Sequence, residues 1–434
     1  MIKCLPRLVV VLAVMAACGA VRADWLFNHR NVENNAVVPI AAAAANMTAT
    51  PAATGHHELY GGAAVTIFDS RIYAVMMQGE EFMSTVPDVL RIKAFNRLTL
   101  NLDWETTDLA TGVSVDYGSA SAPAIDPVER RLYYGGGDTV YKINADTGAI
   151  IWATQINAAN TTAGLSYDIV NGSPVLGNGK VFVQTSDGFG YTGQIVALNA
   201  ATGAVVWWKP TGGVGYGTPV FSDTGTSQVV YAATGINPNL GFTCYDAASG
   251  SVVWSQTYIT TGPAFLNFWS DLVLDSGKLY GVTYDFGSSG TLVRADAATG
   301  ALDWTADTVG TDSPVIVKDG RVHVIGGPFG SALLAVHSAA DGSPVFPFVS
   351  VGGAVFRNYM AATDSQLYLC SGSRLMVRSL ATGALVSQTS ATAYTGPVTV
   401  DTDGSVYAHY YDSGLKEVRK FTPPASASDW WLYQ

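Results

Sequence analysis

Ile143-Asn-Ala-Asp-Thr-Gly-Ala-Ile-Ile-Trp152 decides the architecture of this chain, because the segment recurs. It returns as Leu198-Asn-Ala-Ala-Thr-Gly-Ala-Val-Val-Trp207, as Tyr245-Asp-Ala-Ala-Ser-Gly-Ser-Val-Val-Trp254 and as Ala295-Asp-Ala-Ala-Thr-Gly-Ala-Leu-Asp-Trp304. Copies without the tryptophan stand at Ser338-Ala-Ala-Asp-Gly342 and Leu380-Ala-Thr-Gly383. A degenerate early copy ends at Trp104, and a last one is expected to end at Trp430 or Trp431. In each copy a strand runs into a turn whose glycine supplies a positive φ, and a second strand leaves it carrying the tryptophan. One large aromatic ring at a fixed place in every repeat suits contact between neighbouring sheets.

A second unit lies between these hairpins. Its clearest copy is Ser173-Pro-Val-Leu-Gly-Asn-Gly-Lys-Val-Phe-Val183. Others run over 63–73, 122–133, 218–231, 271–280, 313–324, 359–368 and 396–407, each reading as strand, turn, strand. The turn glycines at 148, 203, 250, 300, 342 and 383 lie about 41 to 55 residues apart, a period typical of propeller blades. Two hairpins per repeat make a four-stranded blade that cannot bury both faces alone, so the units must shield one another in a ring. The expected fold is therefore all-β: an eight-bladed β-propeller of four-stranded antiparallel blades over 61–434, about 47 residues per blade.

The remaining N-terminal sequence divides into an export signal, 1–23, and a strand with a connecting strap, 24–60. Lys3 and Arg7 precede the apolar stretch from Leu8 to Ala17, and Val21-Arg22-Ala23 offers a cleavage site, which implies a secreted or periplasmic protein. A competing reading takes Val14-Met15-Ala16-Ala17-Cys18-Gly19 as a lipobox, with Cys18 lipidated. The ten apolar residues are too few to span a bilayer, and no later run approaches a transmembrane length. Asp24-Trp25-Leu26-Phe27 resembles Asp429-Trp430-Trp431-Leu432-Tyr433, so one end of the chain is expected to complete a blade begun by the other.

Composition narrows the partners. Charged residues make up only 13% and the net charge is −11, whereas a nucleic-acid surface needs a basic excess. Cys244 and Cys370 fall on separate strands three repeats apart and are expected to be buried free thiols rather than a bridge. His56-His57 is the one histidine cluster, and neighbours on an extended chain point to opposite sides. Asp401-Thr402-Asp403-Gly404 begins like a calcium loop but lacks the later glutamate and stands where other repeats turn, so a hairpin is expected there.

The Ala-Thr-Gly-x-x-x-Trp hairpin with its Ser-Pro-Val-x-x-x-Gly-x-Val-Phe partner resembles the pyrrolo-quinoline quinone (PQQ) repeat, and the resemblance covers nearly the whole mature chain. It implies one of two branches. Quinoprotein alcohol dehydrogenases bind PQQ and calcium on the propeller axis; BamB-like propellers keep the repeat without the cofactor and serve outer-membrane protein assembly. The dehydrogenases carry a disulfide between adjacent cysteines, and no two cysteines are adjacent here. Their calcium-binding Glu and Asn and their catalytic Asp match no motif of this chain, and no other catalytic constellation is found. PQQ and calcium are therefore not expected. The resemblance points to a non-catalytic, monomeric scaffold that holds a protein or an extracellular ligand on one propeller face; a quinoprotein dehydrogenase and a glycan-binding or adhesive module are the alternatives.

If a face binds, it is expected to be the mouth formed by the loops leading into each blade. Tyr216, Trp269, Arg357 and Tyr394 stand at aligned positions there, with Asp168, Asp271 and Asn358 in the same loops. Aromatic rings with an arginine and carboxylates suit a peptide or a glycan. The competing account is that these rings fill space between blades.

Overall fold

The computed structural model describes residues 35–41, 49–53, 64–78, 89–109, 121–156, 169–170, 172–186, 192–213, 217–328, 331–353, 360–390, 394–412 and 415–422. These form eight antiparallel sheets, seven of them following the chain order within a single repeat. The blades span 66–105, 124–155, 169–210, 220–259, 273–309, 316–352, 361–388 and, for the eighth, 394–421 with an added strand. No helix occurs among the described residues.

Burial orders the strands from the axis outward. First strands such as Thr66–Phe68 are wholly buried, while fourth strands such as Leu102–Glu105 are largely exposed. The first strands of neighbouring blades touch one another, as Val175–Gly177 does with Val220–Asp223, so they converge on the axis. Between blades lie the apolar clusters; one joins Val273, Val282 and Leu292 of blade five to Val322, Val324 and Ala335 of blade six.

The repeated segment explains how the blades hold each other. Its opening Asn or Asp caps the hairpin: Asn144 Oδ1 accepts the N–H groups of Asp146 and Thr147, and Asp296 Oδ1 those of Ala298 and Thr299. The following alanine lies against the neighbouring blade. The indoles of Trp104, Trp152, Trp207, Trp254 and Trp304 donate at 3.1 to 3.3 Å to the carbonyls of Ala145, Ala200, Ala247, Ala297 and Ala339 in the next blade. The turn glycine supports the same ring. At Gly148, Gly203, Gly250, Gly300 and Gly342, with φ between +70° and +76°, an added Cβ would come within 2.6 to 2.8 Å of that tryptophan. Tryptophan and glycine thus form one inter-blade joint, used five times among the described residues.

The joint changes toward the end of the ring. In blade six Phe346 takes the tryptophan's place and meets Gly383 of blade seven. Between blades eight and one, Arg97 stands where blades two to six carry alanine, and its carbonyl accepts a hydrogen bond from Lys420 Nζ at 2.8 Å. The Arg97 guanidinium grips both oxygens of Asp401, with Nε to Oδ2 at 2.6 Å, and both side chains are almost fully buried. Burial raises the Asp401 carboxyl above its ordinary value, while the guanidinium works in the opposite direction. Gly404, at φ +84°, completes the turn expected at 401–404.

Closure uses sequence from the N-terminal strap. Ala49–Ala53 pairs antiparallel with Leu415–Phe421 and becomes the outermost strand of blade eight. The expectation that one end completes the other's blade is met, by Ala-Thr-Pro-Ala-Ala; residues 24–27 and 429–433, on which it was based, lie outside the described residues. Pro51 suits this place, since an edge strand leaves outward-facing N–H groups unpaired.

Upstream of that strand, residues 35–41 run at the axis. Val38 N–H donates to Ala362 O and Ala362 N–H to Ala36 O, pairing the segment in parallel with the innermost strand of blade seven. Asp364 N–H donates to Ile40 O at 2.8 Å. Asn35 reaches farther: its amide accepts from Val317 N–H at 3.2 Å, donates to Val317 O at 3.0 Å and donates to Asp275 Oδ1 at 3.2 Å. One side chain thereby bridges the innermost strands of blades five and six. Asn35→Ala is expected to cost about 1–3 kcal/mol, since it strips partners from buried backbone groups. Chemical denaturation checks this, and an unchanged midpoint would show that the axial segment is ornament to the ring.

Candidate functional site

Of the seven candidate residues, Asp168, Tyr216, Arg357 and Asn358 lie outside the described residues. Trp269, Asp271 and Tyr394 are described, and all three are buried. Trp269 lies in the connection between blades four and five, where its indole donates to Phe265 O at 3.2 Å and its ring meets Phe286 at 5.2 Å. Asp271 accepts the backbone N–H of Thr218 in the preceding blade. Tyr394 sits within blade eight, its ring 5.1 Å from Tyr410 and 5.7 Å from Phe421, its hydroxyl accepting from Arg419 at 3.2 Å. Arg419 lies in turn over the Tyr410 ring at 3.2 Å. Trp269 and Asp271 share one loop; Tyr394 is three blades away.

The contact made by Asp271 belongs to a series. Ala122 N–H donates to Ser173 Oγ at 2.8 Å, Ser173 N–H to Thr218 Oγ1 at 3.2 Å, and Thr218 N–H to Asp271. Ser173, Thr218 and Asp271 each therefore take the N–H of the counterpart residue one blade earlier. Thr399 Oγ1 to Val65 O and Thr66 Oγ1 to Pro123 O carry a similar link across blades eight, one and two. A backbone approach adds to this: a Cβ on Gly172 would meet Gly217 O at 2.3 Å. Ser-Pro at 173 and Thr-Pro at 218 in the sequence thus belong to a run of hydrogen bonds that links blades two to five near the axis.

Calcium requires six to eight oxygen ligands. Among the described residues no group of three or more His, Cys, Asp or Glu side chains converges on a common point. Cys244 and Cys370 are buried, outside any disulfide, in blades four and seven; burial pushes the Cys244 thiol up to about 12 and raises Cys370 as well. Thiols held protonated in this way are poor nucleophiles and poor metal ligands.

His323, in blade six, is a buried group with a consequence for acid stability. Neither ring nitrogen has a hydrogen-bond partner, and burial, with a smaller contribution from Arg321, holds its pKa down at about 3. The unfolded imidazole takes up a proton below about pH 6.5 that the folded one refuses. Its contribution to stability is therefore complete above that pH and is lost as pH falls from 6.5 toward 3. His323→Leu is expected to recover about 2 kcal/mol near pH 5 relative to pH 8. Parallel denaturation curves for both proteins at the two pH values test this; an equal shift at both would be contrary.

Two exposed rings near Trp269 were not visible in the sequence. Phe265, in the loop from blade four to blade five, is 57% exposed at φ +68°. Phe286, in the turn between the second and third strands of blade five, is 39% exposed at φ +66°. Connections between blades and turns between second and third strands emerge on one face, so both rings belong to the mouth side. Tyr284 packs against Phe286 at 5.1 Å.

A ring of four-stranded blades locked by tryptophan joints defines a PQQ-like repeat propeller. The family model described as outer membrane protein assembly factor BamB matches residues 50–192, 136–267 and 241–418, and the chain belongs to this family. Outer membrane protein assembly factor BamB of Salmonella typhimurium is 22% identical over 293 residues, covering 58% of this chain and 72% of that protein. Quinoprotein alcohol dehydrogenase PedH of Pseudomonas putida is 34% identical over 89 residues, only 20% of this chain and 14% of that enzyme. Among solved structures, quinohemoprotein alcohol dehydrogenase from Comamonas testosteroni superposes with a TM-score of 0.71 at 13% identity, covering 93% of this chain and 81% of that one. At that identity the likeness speaks for the fold.

Proposed function

We propose that this protein is a non-catalytic propeller scaffold of the cell envelope that binds protein on its mouth face, in the manner of a BamB-like assembly factor. The observation that carries this reading is the BamB family match, which runs in three overlapping registers from residue 50 to residue 418. The joints between blades support it, since they make a rigid body on which loops can present contacts. Export follows the N-terminal signal, with cleavage after Ala23 or lipidation of Cys18; mass spectrometry of the mature N-terminus separates the two. Deletion of the gene in the source organism is expected to lower the amount of outer-membrane protein in the envelope. Unchanged levels would sink the assembly role.

A quinoprotein dehydrogenase is the second reading, favoured by the 89-residue match to PedH. Adding PQQ with calcium to the purified protein distinguishes them. The scaffold reading expects no shift of the melting temperature and no alcohol-dependent dye reduction; either signal would transfer the case to the enzyme.

A further inference from the structure

The large apolar side chains exposed among the described residues fall into three groups. One, including Ile150, Val206, Val252, Leu302 and Leu385, lies on the outermost strands. A second, Leu98 and Val128, sits in turns on the face opposite the mouth. The third is Ile236, Phe265 and Phe286, which emerge together on the mouth face from blades four and five at 56%, 57% and 39% exposure.

We infer that Ile236, Phe265 and Phe286 form a docking ridge for an apolar protein segment that carries lysine or arginine. This rests on the protein-binding reading above and names the place and the partner's chemistry.

The first support is strain held in a firm loop. Both phenylalanines adopt a left-handed backbone conformation that L side chains avoid. The loop that carries Phe265 is not loose. Asn267 and Tyr284 exchange backbone hydrogen bonds at 3.0 and 2.8 Å, and the Asn267 amide donates to Gly213 O at 2.6 Å. The Asn237 amide donates to Pro263 O at 2.7 Å and to Leu266 O at 3.0 Å, which ties the turn bearing Ile236 to the same loop. Backbone strain that the surroundings enforce is characteristic of binding sites, and here it turns two rings toward solvent.

The second support is polarity. A sugar would need hydrogen-bonding side chains beside the rings. The amides of Asn237 and Asn267 are instead spent on backbone carbonyls. Apolar anchors of a protein segment ask less of such a surface. The third support is charge. No lysine or arginine occurs between Lys209 and Lys278, or between Lys278 and Arg294. Lys278 and Arg294 are engaged by Asp296 and Asp303, which belong to the third and fourth strands of blade five. Asp285 adjoins Phe286, so the ridge offers ring faces and a carboxylate with no competing cation in its own loops.

Short synthetic peptides in which Leu and Trp alternate with Lys test this by calorimetry, beside versions with Glu for Lys and with Ser for Leu and Trp. The lysine peptide is expected to bind at least about tenfold more tightly than either counterpart. The double variant Phe265→Gly/Phe286→Gly is expected to lose at least about tenfold in that affinity. Because glycine accepts the left-handed conformation, its melting temperature should hold or rise, which separates lost binding from lost folding. Ile236→Lys, which leaves both strained positions untouched, is expected to weaken the lysine peptide as well. No binding of the lysine peptide, equal binding of the glutamate peptide, or undiminished affinity in both variants would overturn the inference. So would a glycan-array signal abolished by the same substitutions. A double variant that fails to bind peptide yet restores outer-membrane protein levels in the deletion strain overturns the ridge alone and leaves the scaffold reading standing.

Discussion

Asp401→Ala is expected to destabilise the ring by about 3–5 kcal/mol, because it leaves the Arg97 guanidinium buried without its carboxylate. The pair lies at the seam between blades eight and one, where no tryptophan joint occurs among the described residues. Lys420 donates to the Arg97 carbonyl and the guanidinium itself also donates to Asp69 O at 2.8 Å, so the arginine cannot swing out to solvent cheaply. Replacing both partners with leucine should cost less than either single loss, as buried ion pairs are often matched by apolar substitutes. Guanidinium denaturation of the two single variants and the double variant decides this. A wild-type midpoint for Asp401→Ala would mean the seam is closed by something else.

The second large effect is expected at the joint between blades four and five. Trp254→Ala should cost about 3–5 kcal/mol through the cavity it opens, and it also leaves the Ala297 carbonyl without its indole donor. Gly300→Ala should cost more than about 1 kcal/mol from its φ of +72° alone. The steric part arises because the new methyl would stand 2.6 Å from Trp254 Cε3. Once the ring is gone that clash disappears, so Gly300→Ala should be milder in the Trp254→Ala background. A double-mutant cycle measures this coupling; strict additivity would show that the two residues do not act as one joint.

These two sites differ in how legible they are. The joint between blades is written locally: Asn or Asp to cap, Gly to turn, Trp a few residues on, repeated until the period is unmistakable. The Ser/Thr-Pro entries to the first strands are equally visible, although only the fold shows that they take hydrogen bonds from the previous blade. Arg97 and Asp401 lie 304 residues apart in the chain, in neighbouring blades, and no local pattern relates them. The hint was negative, since Arg97 interrupts a column of alanines. Ala49–Ala53 has almost no strand character of its own and is extended because Leu415–Phe421 offers it a free edge. The sequence leaves Trp269 and Asp271 open as binding groups or as packing between blades; the structure places both inside, one as support for Phe286 and one taking a hydrogen bond from the preceding blade. Phe265 and Phe286 escaped notice for a physical reason. A positive φ at phenylalanine is imposed by tertiary contacts and has no signature in the residue itself.

The pairing of Ala49–Ala53 with Leu415–Phe421 also constrains how the molecule comes into being. Synthesis delivers the first of these strands long before the second, so the nascent chain must carry an unmatched edge through seven blades' worth of elongation. Contacts so distant along the chain are slow to form and leave the intermediate prone to association with other chains. Maturation should therefore be limited by the final docking event, and a chaperone that shields open β edges would act at that moment.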